Sequence, residues 1–208
     1  MKKLDLKKEL KHLYGTTGKS IVLVDVPKMK FLMIDGQGNP NTAQAYSDAV
    51  QALFTLSYTL KFMIKKGANA VDYGVMPLEG LWWTDDLADF NPDDKDIWKW
   101  TAMIMQPEWI TAELVEEAIR QAVKKKALPA LSNARFQVFE EGKAAQCLHV
   151  GPYAEEATTI ERLHEFIQGQ GLTLTGKHHE IYLSDPRRAA PDKLKTIVRQ
   201  PIGEAALS

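Results

Sequence analysis

The chain has 208 residues, of which 45% are hydrophobic and 25% charged, a composition typical of soluble globular proteins and not of disordered ones. Its formal net charge of −1 gives no electrostatic basis for binding nucleic acid, and no apolar run approaches the roughly 20 residues of a membrane helix. The single cysteine, Cys147, excludes a disulfide within the chain, and the charged N-terminal segment lacks the apolar core of a signal peptide. We therefore predict a cytoplasmic protein that contacts no membrane.

The first half of the chain is predicted to hold one long helix among short strands. A charged arm or short helix, residues 1–18, comes first. The helix begins near Asn41, which with Gln44 resembles a capping box, and it ends at Gly67 after two lysines that suit the last carbonyls. An acidic loop is predicted at residues 85–96. Strands are predicted at residues 21–26, 29–34, 71–76, 81–83 and 98–105, the third and fourth being either two strands around a turn or one bent strand.

The second half is predicted to repeat this series of elements. Thr111 caps a helix rich in early acids, and Pro129 prevents its continuation. Residues 136–139 and 144–150 are predicted to form a hairpin around the turn at 140–143. The remaining elements are a helix with its apolar face at residues 157–167, a strand at 178–184 and a last strand at 195–200, with fraying from Gly203.

The order strand, helix, strand, strand therefore occurs twice, without similarity in residue identity. We expect one domain over residues 1–208, with modules at approximately 19–106 and 135–201 linked by the helix at 111–126. Segregated helices and mostly antiparallel strands predict an α+β fold. The two pseudo-symmetric modules would form an antiparallel sheet, with helices on its convex face and a ligand cleft on the other face.

The strand at residues 178–184 has the most informative pattern. Glu180 and Tyr182 fall on one face of it, and Ile181 and Leu183 fall on the other. We expect the apolar pair to pack under helices and the polar pair to face the cleft. A carboxylate among aromatic rings can bind a cation or abstract a proton, and we expect the loss of solvation to raise its pKa. On an open face, Glu180 would be an ordinary solvated charge.

Tryptophan is concentrated in one short part of the chain, since all five lie between Trp82 and Trp109. On strands, alternate rings point to one side, so several of them either enter the core or line the uncovered face. A sheet face lined with rings makes a slot for a planar ligand, and a glutamate at its floor adds attraction for cations.

Other candidate sites are weaker. Adjacent His178 and His179 point to opposite faces of a strand, and the other three histidines have no ligand spacing, so we predict no metal site. No fingerprint predicts a cofactor. Cys147 and His149 are either a thiol–imidazole nucleophile or, as we favour, a small buried cysteine beside a histidine. The basic pair after Asp185 is either a solvated turn or an anion clamp.

Two motifs carry a family resemblance. His-Val-Gly-Pro-Tyr at residues 149–153, a helix, and Glu-Ile-Tyr-Leu-Ser-Asp-Pro at 180–186 resemble the GyrI-like small-molecule-binding domain. The same domain type forms the drug-sensing half of BmrR-type multidrug transcription regulators. The resemblance implies two pseudo-twofold modules, helices on the convex side, and a ligand cleft between the modules in which Glu180 meets cationic or aromatic ligands. The chain has no DNA-binding helix–turn–helix, so we do not expect direct gene regulation.

Met-Pro-Leu-Glu-Gly-Leu-Trp-Trp at residues 76–83 resembles a stand-alone subfamily. Some of its members hydrolyse cyclopropane-bearing, DNA-alkylating natural products inside an aromatic cage. This resemblance implies Glu180 and Tyr182 as catalytic residues. It implies ligand-binding residues matched by motif at Trp82, Trp83, Trp100 and Tyr153, and others matched only by neighbourhood at Tyr73 and Glu79.

Three functions follow, of which we favour the first. In the first, the chain would be a hydrolase that detoxifies planar electrophilic compounds, with Glu180 as general base. Alternatively it is a non-catalytic sensor or sink for amphipathic cationic drugs, using the same cleft. The third function is a protein-interaction module like family members that act on a topoisomerase, for which the acidic stretch 85–96 is the candidate surface.

Overall fold

Alternating and helically spaced apolar residues produce both strands and helices in this chain. The computed structural model describes residues 2–15, 20–67, 70–85 and 95–204. In these ranges the α-helices are Leu6–Glu9 (α1), Lys11–Tyr14 (α2), Gln44–Lys66 (α3), Ala112–Lys125 (α4) and Ala157–Gly169 (α5). The β-strands are Lys2–Leu4 (β1), Val22–Val26 (β2), Met29–Gln37 (β3), Val71–Tyr73 (β4), Leu78–Trp83 (β5), Lys99–Gln106 (β6), Arg135–Phe139 (β7), Gly142–Val150 (β8), Leu172–Leu174 (β9), His178–Tyr182 (β10) and Lys195–Glu204 (β11). None of the described helices is both long and apolar enough to cross a membrane.

Strand pairing in the described ranges produces one large sheet of nine strands. Eight of them lie side by side in the order β2-β8-β11-β10-β5-β6-β3-β7, and β9 extends β11. Every pairing within this sheet is antiparallel, whereas β1 and β4 form a separate parallel pair. The α+β class and the antiparallel sheet predicted from the sequence are therefore confirmed.

The two central strands join the two halves of the molecule. β5 pairs with β10, which places Gly80 directly opposite Glu180. In the first half α3 packs on β3 and β6, and in the second half α5 packs on β8 and β11. The central strands consequently lie between the two helices. α4 packs against α3, on the first half.

The halves are also joined at their far edges. β2 pairs with β8 and β3 pairs with β7, and both pairings share one register, because the paired residue numbers sum to 168 in each (Val22 with Gln146, Met33 with Arg135). Two residues separate β2 from β3, and two separate β7 from β8. The ladder of strands therefore continues from one half into the other and returns on itself.

This register contradicts the predicted hairpin of residues 136–139 and 144–150. Instead of pairing with each other, β7 pairs with β3, and β8 pairs with β2 and β11. Glu141, which was expected in the turn of that hairpin, has a buried side chain that forms an ion pair with Arg199 at 3.0 Å. Its inward position is incompatible with a solvent-exposed hairpin turn.

Element ends differ from the predictions in three places. α3 begins at Gln44 with no side-chain cap, so Asn41 is not its N-cap; the other end, with two lysines before Gly67, is confirmed. The last strand extends to Glu204, because its end pairs with β9, so the fraying expected from Gly203 is wrong at residues 203 and 204. Of the predicted acidic loop, residues 86–94 lie outside the described ranges.

The sheet face opposite α3 and α5 carries a buried polar network. Glu79 accepts a hydrogen bond from the Tyr14 hydroxyl at 2.8 Å and lies 2.9 Å from His179 Nε2. His179 Nδ1 lies 2.8 Å from Glu141, which also binds Arg199. Two carboxylates and two cationic groups thus satisfy one another, and they fasten α2 to three strands of the sheet.

Candidate ligand-binding and catalytic cleft

A cleft of about 2250 Å³ lies between α3 and α5, with β5 and β10 as its floor. Pockets for drug-sized ligands usually measure roughly 300–1,000 Å³, so this cleft has room for a large ring system. The two helices flank the cleft on its own face of the sheet. The sequence predicted helices on the convex face of the sheet and the cleft on the other face. In the structure these helices and the cleft share one face, because each helix covers only the outer strands of its half and leaves the central strands open.

Strand β10 places Glu180 at the floor of this cleft. Ile181 is fully buried on the other face, as the alternation predicts, whereas Leu183 lies beyond the end of the strand and lines the cleft. The Tyr182 hydroxyl donates a hydrogen bond to Glu180 Oε2 at 2.6 Å, and His178 Nε2 lies 3.1 Å from Glu180 Oε1. The residues at i−2 and i+2 therefore orient both oxygens of the carboxylate.

These two partners decide the charge of Glu180. Burial raises its pKa, but the hydrogen bond and charge of His178 and the hydroxyl of Tyr182 outweigh burial, so the pKa lies below the ordinary value for glutamate. The rise expected from the sequence is wrong, because that expectation counted lost solvation and omitted the neighbouring donors. Glu180 is consequently an anion at neutral pH, while burial and then the charge of Glu180 raise the pKa of Tyr182.

The cleft also holds a buried glutamate that the sequence did not predict as a site residue. Glu156 lies at the start of α5, is only 4% exposed, and lines the same cleft. Its Oε1 atom has no hydrogen-bond partner among the described residues. Burial and then the charge of Glu180 raise its pKa to about 9. Its position after the His-Val-Gly-Pro-Tyr motif was the available signal, but burial is a tertiary property.

Aromatic rings form the walls beside Glu180. Tyr46 of α3 packs against Trp82 with ring centroids 5.6 Å apart, and Trp82 packs edge-on against Trp98 at 5.8 Å. On the opposite wall Tyr153 meets Tyr182 edge-on at 5.7 Å. These five rings all line the cleft. They offer flat apolar surfaces on which a planar ligand can stack.

Gly80 allows Trp82 to lie along the floor. A Cβ added at Gly80 would lie 2.7 Å from Trp82 Nε1, closer than real Cβ contacts. The indole therefore occupies the space that a side chain would fill, directly opposite Glu180 in the β5–β10 pair. Its buried Nε1 has no hydrogen-bond acceptor among the described residues.

A stack of three rings extends the cleft along α3. Phe54, Tyr58 and Phe62 are spaced at i, i+4 and i+8, with successive ring centroids 6.5 Å apart, and all three line the cleft. Tyr58 and Phe62 are about half exposed. Helical spacing of apolar residues alone does not separate these rings from the residues of α3 that pack on the sheet.

The family follows from a comparison with known proteins. The model of the GyrI-like small-molecule-binding domain matches residues 19–202. The chain belongs to this family. No curated protein matches it.

Solved structures resemble this GyrI-like domain at two levels. An uncharacterised conserved protein from Listeria innocua shares 42% identity over 96% of this chain and 100% of its own, with a TM-score of 0.89. A Listeria innocua protein described as a hydrolase shares 41% identity over 97% of this chain and 100% of its own, with a TM-score of 0.87. The C-terminal domain of EcmrR shares the fold, with a TM-score of 0.55. Its identity is 13% over 89% of this chain and 98% of its own.

Four residues predicted for the site of the GyrI-like domain do not line the cleft. Trp100 lies on the cleft face but is buried behind Tyr46, with ring centroids 5.0 Å apart. Trp83 lies on the opposite face, with Lys177 Nζ 3.2 Å from its ring centroid. The other two are Tyr73, which packs edge-on against Trp109, and Glu79, which belongs to the network behind the sheet.

The weaker candidates of the GyrI-like domain are structural. His149 is bonded to Thr159 and the carbonyl of Pro152 and not to Cys147, which is buried and whose pKa is raised by burial. Arg187 forms a two-pronged ion pair with Asp185 at 2.9 Å in an exposed turn. Within the described ranges no group of three or more His, Cys, Asp or Glu side chains is arranged to hold a metal ion.

Proposed function

We propose that this GyrI-like protein binds planar, electrophilic aromatic compounds in its cleft and hydrolyses them, with activated cyclopropanes of the DNA-alkylating type as the substrate class. The observation that carries the proposal is Glu180, a carboxylate held by His178 and Tyr182 on the floor of an aromatic cleft. The Listeria innocua relative described as a hydrolase, at 41% identity, supports a hydrolytic reaction.

The chemical role of Glu180 follows from its charge. A general base must be ionised to accept a proton, and the lowered pKa keeps Glu180 ionised at neutral pH. The same lowering makes it a modest base. A strained cyclopropane conjugated to a carbonyl is already electrophilic, so a positioned water and a modest base suffice for ring opening. Detoxification follows because the opened ring can no longer alkylate.

The aromatic walls supply binding and orientation. Trp82 and Trp98 from the first half of the molecule and Tyr153 from the second half line the cleft, where they would restrict a planar ligand to the space beside Glu180. Stacking contributes affinity without fixing one exact shape, which suits a site for several related compounds. Holding the electrophilic carbon near water beside Glu180 replaces a bimolecular encounter by a positioned one.

Turnover of an activated cyclopropane tests the proposal. Glu180→Gln keeps the shape and removes the base, so the hydrolysis rate should fall roughly 10²-fold or more while affinity for a neutral cyclopropanoid is largely retained. Glu165→Gln, on the exposed face of α5, is the matched control and should hydrolyse at the wild-type rate. If wild type gives no turnover above buffer for any activated cyclopropane that it binds, the hydrolase proposal fails.

A sensor or sink is the second candidate, and one observation favours it. Both oxygens of Glu180 already have protein partners, and the residue is an anion among rings, an environment that attracts aromatic cations. This function predicts binding without turnover. Glu180→Gln should then weaken the binding of a planar cation, read by tryptophan fluorescence quenching, more than that of a neutral analogue. A protein partner stays a prediction, since most of the acidic stretch lies outside the described residues.

A further inference from the structure

Glu156 is an unusual residue for the wall of a ligand cleft. It precedes α5, yet its side chain makes no capping hydrogen bond to that helix. It is 96% buried, lines the cleft, and has an Oε1 atom without a partner among the described residues. An ionised carboxylate in this position would lack the hydrogen bonds that a buried charge requires. A neutral carboxylic acid, by contrast, needs only an acceptor for its proton.

Charged and titratable groups face Glu156 from several elements. They include Glu180 and Tyr182 of β10, Cys147 of β8, Tyr153 in the turn before α5, and Lys95. His178 of β10, Tyr46 of α3, and Glu161 and His164 of α5 line the same cleft. Burial is the largest influence on the pKa of Glu156, the charge of Glu180 is second and raises it further, and Lys95 opposes them. At neutral pH Glu180 is therefore an anion and Glu156 a neutral acid, whereas the third glutamate that lines the cleft, Glu161, is exposed. Two carboxyl groups in opposite protonation states are an arrangement suited to acid–base catalysis.

We propose that Glu156 is the proton donor of this cleft, which donates a hydrogen bond to a carbonyl oxygen of the substrate and protonates that oxygen while Glu180 takes a proton from water. This inference rests on the proposed hydrolase function and deepens it. It restricts the substrate to planar cyclopropanes whose ring is conjugated to a carbonyl group.

The reaction balances as the addition of one water molecule. The water oxygen forms a bond to a cyclopropane carbon, and the C–C bond from that carbon to the conjugated system breaks. The electron pair of the broken bond moves through the conjugated system to the carbonyl oxygen, which takes the proton of Glu156 and becomes a hydroxyl. Glu180 takes the proton lost by water. Return of one proton from Glu180 to Glu156 through solvent completes the cycle, and nothing is oxidised or reduced.

The same residue governs which ligands bind. A protonated Glu156 favours a carbonyl acceptor and adds no charge, so of this pair only Glu180 attracts cations at neutral pH. Once Glu156 ionises, its hydrogen bond to a carbonyl is lost and a second negative charge attracts cations. N-methyl-4-quinolone and N-methylquinolinium have nearly the same shape, and one carries a carbonyl while the other carries a fixed positive charge. Their binding therefore reports the protonation of Glu156 without any turnover.

Binding of this pair is the first test. Between pH 7 and pH 9.5, wild type should lose affinity for the quinolone and gain about tenfold in affinity for the quinolinium, the change expected for one added charge near the ligand. Glu156→Gln has the shape of the protonated acid and cannot ionise, so both affinities should become independent of pH. If Glu156→Gln keeps the wild-type pH dependence, the assignment is overturned.

Hydrolysis of an aryl cyclopropyl ketone is the second test. The wild-type rate should fall above pH about 9, where Glu156 loses its proton. Glu156→Gln should lose roughly 10²-fold in rate at pH 7 with little change in affinity, and the alkaline fall should disappear. An unchanged rate at pH 7 would overturn the proton transfer. Absence of turnover in wild type would instead remove the hydrolase proposal, and the binding test would then decide the hydrogen bond of Glu156 separately.

Discussion

Glu180 and Glu156 are the same type of residue in one cleft, and their surroundings move their pKa values in opposite directions. His178 and Tyr182 lower the pKa of Glu180, whereas burial and the negative charge of Glu180 raise the pKa of Glu156. The sequence predicted the direction in which Glu180 points, because period-2 alternation is local. The alternation also puts His178 on the same face, so the lowered pKa of Glu180 could have been anticipated. The burial of Glu156 could not be anticipated from the sequence, because it depends on how α5 packs against the sheet.

A residue-scale prediction concerns the floor beside Glu180. Gly80→Ala adds a Cβ 2.7 Å from Trp82 Nε1, so the indole must move from its place on the floor. We expect about a tenfold loss of affinity for N-methylquinolinium, the size of one disturbed aromatic contact, measured by fluorescence quenching. Gly74→Ala is the matched control, because a Cβ there meets no atom within 4 Å. Equal affinities in the two variants would show that the position of Trp82 does not matter for binding.

At the scale of elements, strand β10 separates two functions by alternation. Its cleft face carries Glu180, and its other face carries His179, which joins the buried network that holds α2 on the sheet. Burial lowers the pKa of His179, but the carboxylates of Glu141 and Glu79 raise it more, to about 9. The network could not be predicted from the sequence, because its members come from separate segments of the chain.

The raised pKa of His179 makes stability depend on pH. Its contribution is fully present below the unfolded pKa near 6.5 and is lost as pH rises through about 9, an effect of about 3 kcal/mol at most. The melting temperature of wild type should therefore fall by several degrees between pH 6 and pH 9.5. Glu156 adds a fall of the same sign, since folding also raises its pKa.

A comparison of variants isolates His179. His179→Gln should melt lower than wild type at pH 6 and show a smaller further fall at pH 9.5. His12→Gln, at an exposed position of α2, is the matched control and should keep the wild-type profile. A His179→Gln profile parallel to that of wild type would contradict the assignment of the alkaline loss to this residue.

At the scale of the whole molecule, the repeat of strand, helix, strand and strand was visible in the sequence, but the pairing of the strands was not. Local patterns predict that residues 136–139 and 144–150 are strands; they do not choose partners more than 100 positions away. The two halves consequently share three pairings, those of β2 with β8, β3 with β7 and β5 with β10. Neither half contains its own complete set of partners.

Separated halves should therefore fail to fold alone. A cut between α4 and β7, giving fragments 1–127 and 128–208, breaks no strand but removes these pairings from each fragment. We expect little cooperative unfolding for either fragment by circular dichroism. An equimolar mixture should recover it together with quinolinium binding, because antiparallel pairing does not require the covalent link. Cooperative melting of one isolated fragment would show that it is an independent domain.

The returning ladder of strands also bears on how a ligand enters. Two lobes joined along a single seam can swing apart like a hinge, but here a swing at the β5–β10 seam is resisted by the pairings at the far edges. We therefore expect the scaffold to set the width of the cleft, and ligand entry to depend on rotations of the half-exposed rings that line it, Tyr58 and Phe62. Such an entrance selects ligands by thickness more than by length. We expect one flat ring system to enter and a bulky tetrahedral substituent of the same polarity to be excluded.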